Sequence, residues 1–291
     1  MKSSVAIRLS AVSVLLGALW AQPAKAAQVA PNVVFINAGE RGAELMVRNG
    51  GQEPIEVQVG LSFGYEATDH RGQVQSVYTD DPDHPKSAAS WLRAYPQRTV
   101  IAPGSRQSIR LFSRAPADVE PGEYWARIEV QSRPTRVPTR AAGDDDEIQV
   151  RVGVTTRQRI PIFVRVGETE ASFAVGAVRA RVDEKSGEDG EVSRSVYVRY
   201  RARLAGNAAF LGTMHARIEN GGKVLAERRA PLAVFVPGVR GARLALSDDV
   251  SAADLRGATL ILEARREHPA IAAADLVSGR ALRWEGPLAL E

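Results

Sequence analysis

The sequence predicts an all-β chain built of antiparallel sandwiches. Three observations carry that expectation. Apolar residues recur at every second position in several separate stretches. Turn residues are closely spaced between those stretches. No stretch sustains a helical period. The clearest alternation is Ile148-Gln149-Val150-Arg151-Val152-Gly153-Val154, where Ile148, Val150, Val152 and Val154 share one face.

The first 26 residues read as an export signal. Lys2 and Arg8 form a charged start, residues 9–21 are an apolar run, and Ala24-Lys25-Ala26 supplies a small-x-small cleavage pattern. The run is too short to span a bilayer, and no stop-transfer segment follows it. The expectation is an exported chain, cut near Ala26, without a membrane span. Three of the four net positive charges, Lys2, Arg8 and Lys25, lie in that segment, so residues 27–291 carry about +1. The high isoelectric point is therefore no argument for a nucleic-acid partner. The chain has no cysteine, which removes disulfides, thiol catalysis and thiolate-held metals, and leaves stability to the apolar cores.

Strand signals follow in order. Residues 43–49 and 55–61 are separated by Gly50-Gly51 and Pro54, and Ile55, Val57, Val59 and Leu61 share a face. Pro103-Gly104 and Pro121-Gly122 mark turns. Val198, Tyr200, Ala202 and Leu204 repeat the alternation. Residues 218–224, with Asn220-Gly221-Gly222, read as a hairpin, because Asn and Gly tolerate the positive φ of a tight turn. Residues 251–255 and 269–277 are expected to form short helical turns. A polar break near 165–168 divides the chain into residues 27–166 and 167–291. Two loops, residues 80–85 and 132–147, are too rich in Pro, Arg and Asp to pack a core and are expected to be mobile.

No catalytic or metal constellation emerges. His70, His84, His215 and His268 are scattered, and there is no HExxH pair. Pro82 and Pro85 interrupt any cation-ligand spacing around Asp80, Asp81 and Asp83. A Gly-x-Ser-x-Gly elbow and a phosphate-cradling Gly loop are absent. The expectation is a chain without cofactor, metal or catalytic residues. Trp91, Trp125, Trp284, Phe35, Phe63, Phe112 and Tyr124 are expected in cores.

Residues 95–111 (Tyr-Pro-Gln-Arg-Thr-Val-Ile-Ala-Pro-Gly-Ser-Arg-Gln-Ser-Ile-Arg-Leu) resemble a signature of the periplasmic pilus-assembly chaperones of the chaperone–usher pathway. The segment Pro121-Gly122-Glu123-Tyr124-Trp125-Ala126-Arg127-Ile128 stands where that family has its next strand. Ile160-Pro161-Ile162-Phe163-Val164-Arg165 is similar to its domain-ending segment, and residues 206–211 to an Asn-containing turn of its second domain. The resemblance implies two immunoglobulin-like β-sandwich domains with a binding cleft between them. It implies that the chain binds pilus or fibre subunits and hands them to an outer-membrane usher. The subunit is an incomplete sandwich, and the chaperone completes it with a donated strand. Ile148, Val150, Val152 and Val154 are then the groove-filling side chains, each worth about 1.5–3 kcal/mol gross when buried. Self-association is one way such a strand is capped in the free protein.

The resemblance also exposes a departure. The family fixes the subunit's terminal carboxylate with two basic residues, and those places here hold Asn32 and Pro161. Arg157 and Arg159 lie close by as a substitute carboxylate fork; the competing reading is an ordinary solvated strand face. A non-catalytic structural or surface-interaction protein built of the same two domains is the alternative function.

Overall fold

The computed structural model describes residues 27–79, 84–135, 154–187 and 191–291 of the 291-residue chain. Ten strands form the first sandwich: β1 (Gln28–Ala30), β2 (Val34–Ile36), β3 (Gly42–Arg48), β4 (Ile55–Thr68), β5 (Val74–Thr79), β6 (Leu92–Tyr95), β7 (Arg98–Ile101), β8 (Arg106–Ser113), β9 (Gly122–Pro134) and β10 (Thr156–Val166). One sheet runs β1-β3-β8-β6. The other runs β2-β10-β9-β4-β5, with β7 paired to the start of β4. Each ladder is antiparallel except β2 with β10, which is parallel. The alternation read from the sequence fixes which side faces in. Leu45, Val47, Val57, Ile109, Leu111, Ile128 and Ile162 are fully or almost fully buried between the sheets.

The second sandwich contains β11 (Ala171–Ser186), β12 (Val192–Gly206), β13 (Phe210–Asn220), β14 (Lys223–Val234), β15 (Gly238–Leu246), β16 (Thr259–Arg265) and β17 (Leu282–Pro287). Its sheets run β11-β12-β15 and β14-β13-β16-β17. Val196, Val198, Ile218, Leu244, Leu260 and Leu262 form its core. The hairpin between β13 and β14 is as tight as its residues suggest. Asn220 pairs with Lys223, and both residues between them, Gly221 and Gly222, have positive φ (56° and 81°). Residues 251–255 supply the expected helical turn, α1 (Ala252–Leu255), closed by a capping box between Ser251 and Asp254. Around Ala273–Asp275 the turn is 3₁₀.

One aromatic expectation fails. Phe112 is 53% exposed. Its neighbour Leu111 takes the inward position on β8, and a strand's two-residue period then turns Phe112 outward. Trp125 is buried, but in a different place from the one expected. It joins Phe63, Phe163, Ala209 and Phe235 in a third apolar cluster, made by residues of both sandwiches.

That cluster lies on the outer face of the β2-β10-β9-β4 sheet. The ring of Phe235 sits edge-on to Trp125 (centroids 5.0 Å apart) and stacks near Phe163 (5.8 Å), which stacks on Phe35 (5.0 Å). The sheet is therefore covered on both faces over part of its length. This explains why β9 is buried at every position from Gly122 to Ile128.

Candidate functional site

The sequence points to residues 148–154 and to the strand they feed. Ile148, Val150 and Val152 lie outside the described residues. Val154 is described and is 52% exposed. The strand that follows, β10, has β9 along one edge for its whole length. On its other edge β2 covers only Ile162, Phe163 and Val164. Among the described residues no strand pairs with that edge from Thr156 to Pro161. The Gln158 side chain donates to the carbonyl of Ala27 (2.6 Å) beside it. Among the described residues, the first half of β10 is thus an unpaired strand edge.

The two basic candidates face the outer side of the sheet. Arg157 and Arg159 both reach Glu129 on β9: Nε of Arg157 is 3.1 Å from Oε1, and Nε of Arg159 is 2.8 Å from Oε2. Arg159 also lies over the Tyr78 ring, 4.4 Å from its centroid. One carboxylate is thus shared between two exposed guanidinium groups. The hydrogen bond that Arg159 donates to Glu129 raises the pKa of the guanidinium. Asn32 is exposed and Pro161 half-buried, so the two positions where the resembled family is basic carry no charge here.

Directly across the ladder from Pro161 sits Arg127, which sequence reading passed over. Its side chain is 6% exposed, on the same outer face as Trp125 and Glu129. Its Nε donates to the carbonyl of Gly64 at 3.3 Å, and its Nη2 is 4.0 Å from Glu66, the outer limit of an ion pair. Burial lowers its pKa, partly offset by Glu66. A buried cation with so few close acceptors is under-paired. The alternation Glu123, Trp125, Arg127, Glu129 was visible in the chain. The register that sets Arg127 against Pro161 was not.

A polar hub joins the sandwiches beside this face. The carboxylate of Glu123 is fully buried and accepts from Arg165 Nε (3.1 Å), the Trp125 indole N–H (3.1 Å) and the backbone N–H of Ala209 in the second sandwich (3.1 Å). Burial pushes its pKa up, and Arg165 and the hydrogen bonds pull part of the way back. Arg165 further donates to Asn37 Oδ1 (2.8 Å) and to the carbonyl of Asp275 (2.6 Å). Asn207 holds the connecting segment: its side chain donates to the carbonyls of Pro121 and Glu168 and accepts from the N–H of Glu170. Lys86 donates to the carbonyls of Glu123 and Asn207, again one from each sandwich.

Among the described residues no group of three or more His, Asp and Glu side chains could hold a metal ion. No helix there is long and apolar enough to cross a membrane.

No family model and no curated protein matches the chain. Solved structures do. One is a chain of the CsuC–CsuE chaperone–tip adhesion subunit pre-assembly complex from archaic chaperone–usher Csu pili of Acinetobacter baumannii. It is 13% identical, with 91% of this chain and 99% of that one covered, at a TM-score of 0.42. The YadV chaperone is 14% identical over 90% of this chain and 99% of its own, at 0.43. The class 5 fimbriae chaperone CfaA is 11% identical over 89% and 98%, at 0.47.

Proposed function

We propose that this chain is a periplasmic, non-catalytic chaperone that binds pilus or fibre subunits by donating a strand and delivers them to an outer-membrane usher. In this reading residues 1–26 are the cleaved signal, residues 27–166 are the donating domain, and residues 167–291 form the second domain. One observation carries it: among the described residues no strand pairs with the edge of β10 from Thr156 to Pro161, immediately after the alternating run 148–154 in the sequence. An unpaired edge offers a row of N–H and C=O groups to an incoming strand, and that pairing does not demand a particular partner sequence. Ile148, Val150, Val152 and Val154 add the apolar part by filling a groove in the subunit. Self-association capping this edge belongs to the same proposal.

The anchor is assigned differently from the sequence expectation. Arg157 and Arg159 are already matched by Glu129, whereas Arg127 is recessed, under-paired and opposite Pro161. Arg127 is the stronger candidate to receive a subunit's terminal carboxylate, which would replace the distant Glu66 with a short charge-assisted pair. The test of the main proposal is co-purification of exported proteins with the double variant Val150→Asp, Val152→Asp. The variant is expected to fold and to lose the subunit. Recovery of a subunit at the wild-type yield would overturn strand donation through this segment.

A further inference from the structure

A cavity of about 800 Å³ opens between the facing edges of β14 and β15, away from the donor edge. The turn between β4 and β5, from the first sandwich, forms part of its wall through Arg71 and Gly72. Gly72 is packed so tightly against β15 that a Cβ there would lie 3.0 Å from the backbone of Arg240 and Gly241. Tyr200, Met214 and Leu232, all buried, form an apolar floor.

The lining is strongly one-sided in charge. Arg71, Arg199, Arg228 and Arg240 line the cavity, and none of the four has a carboxylate within ion-pair distance among the described residues. Arg181 and Arg243 line it too, but they share Asp183 (2.7 and 2.8 Å). Glu66 is the acidic residue among the lining side chains. Arg240 is the informative one. It is 5% exposed, and its guanidinium bonds to Thr68 Oγ1 and to the carbonyls of Val239 (3.2 Å) and Ala233 (3.5 Å). Its Nε is buried and has no hydrogen-bond partner among the described residues. A buried guanidinium without a counter-charge is costly unless something anionic completes it.

We infer that this cavity is a binding site for a phosphate-bearing anion, with Arg240 at its base and Arg71, Arg199 and Arg228 at its mouth. The planar fork of a guanidinium pairs two N–H groups with two oxygens of one phosphate. Several such forks around a cavity this wide suit a ligand with more than one oxyanion or a phosphate on a larger body. Free phosphates and phospholipid headgroups share that chemistry. The site is separate from the strand edge, so it stands or falls independently of subunit binding.

The experiment is calorimetric titration of the purified protein with inorganic pyrophosphate at fixed ionic strength, alongside sedimentation with phosphatidylglycerol and phosphatidylcholine vesicles. Saturable binding of pyrophosphate is expected, weakened about tenfold or more in Arg199→Ser, Arg228→Ser, which changes one half-buried and one exposed side chain outside the apolar core. Arg240→Lys, which keeps the charge and loses the fork, is expected to weaken it as well. Selective binding to phosphatidylglycerol vesicles, displaced by pyrophosphate, would identify a lipid headgroup as the source. Pyrophosphate binding without vesicle binding would identify a free phosphate. Absence of saturable binding to either probe, or equal binding by the Arg199→Ser, Arg228→Ser variant, would overturn the site.

Discussion

Among single residues, the informative contrast lies between three arginines on one face of the first sandwich. Arg157 and Arg159 are solvent-facing and divide the carboxylate of Glu129. Exposed pairs of that kind contribute little, because solvent screens them and long side chains lose freedom in making them. Arg127 is withdrawn from solvent and, among the described residues, has a carbonyl at 3.3 Å and a carboxylate at 4.0 Å as its partners. A carboxylate arriving at Arg127 would gain far more than one arriving at the other two, since low local dielectric strengthens the pair. Arg127→Met, which keeps the apolar stem and removes the charge, is therefore expected to shorten the lifetime of the proposed complex with a subunit by about tenfold or more. Arg157→Ala, Arg159→Ala is expected to change it by less than about threefold. Dissociation rates by surface plasmon resonance separate the two. The reverse ranking would return the anchor to the exposed pair.

For whole elements, short-range rules explain much of the molecule, and the β13–β14 hairpin shows how far they reach. Its two-residue turn needs positive φ at both Gly221 and Gly222, the geometry that matches the twist of the flanking strands. Neither glycine is crowded, so a Cβ would meet no neighbour, and the cost of replacing either is conformational alone. Gly221→Ala and Gly222→Ala are each expected to cost about 1–2 kcal/mol in urea unfolding. A loss near zero would mean that the turn relaxes to another type. This hairpin was legible because turn chemistry and alternation are properties of neighbouring residues. The inward faces of β4 and β12 were legible for the same reason. The outer face of β9 was not: Trp125 read as part of a sandwich core and Glu123 and Arg127 drew no assignment, yet the second sandwich and the β4–β5 hairpin cover all three. Phe112 failed in the opposite sense, since hydrophobicity suggested burial and position on β8 dictated exposure. The pairing of Arg157 and Arg159 with Glu129 likewise depends on a register between strands nearly thirty residues apart, which composition does not encode.

Across the whole molecule, the two sandwiches are joined by apolar rings around Phe235 and by the buried Glu123–Arg165 pair, and these have different responses to pH. Many carboxylates are held below their ordinary pKa by hydrogen bonds: Asp183 by Arg181 and Arg243, Glu227 by His215, Asp249 by Ser247 and Lys223, Asp254 by Ser251, and Glu291 by Arg179. For each, the folded value lies below the unfolded one. The stability it contributes is present above the unfolded value, 3.8 for Asp or 4.5 for Glu, and is lost as pH falls through the folded value. Glu123 has the opposite sign. Its folded value is raised by burial, so its contribution is best below the unfolded value and declines as pH rises through the folded one. The exposed groups are individually weak but numerous, so their sum should dominate on the acid side. The exposed carboxylates stay ionised above about pH 5, so unfolding free energy is expected to rise as pH falls through the folded value of Glu123 and to drop below about pH 4. Glu123→Gln keeps the shape of the hub and removes that titration, so the rise should disappear while the acid limb below about pH 4 runs parallel to that of the wild type. Urea midpoints across this range decide the matter. A shallower acid limb in Glu123→Gln would mean that Arg165 and the Trp125 and Ala209 donors outweigh burial and that the hub carboxylate is held down with the rest.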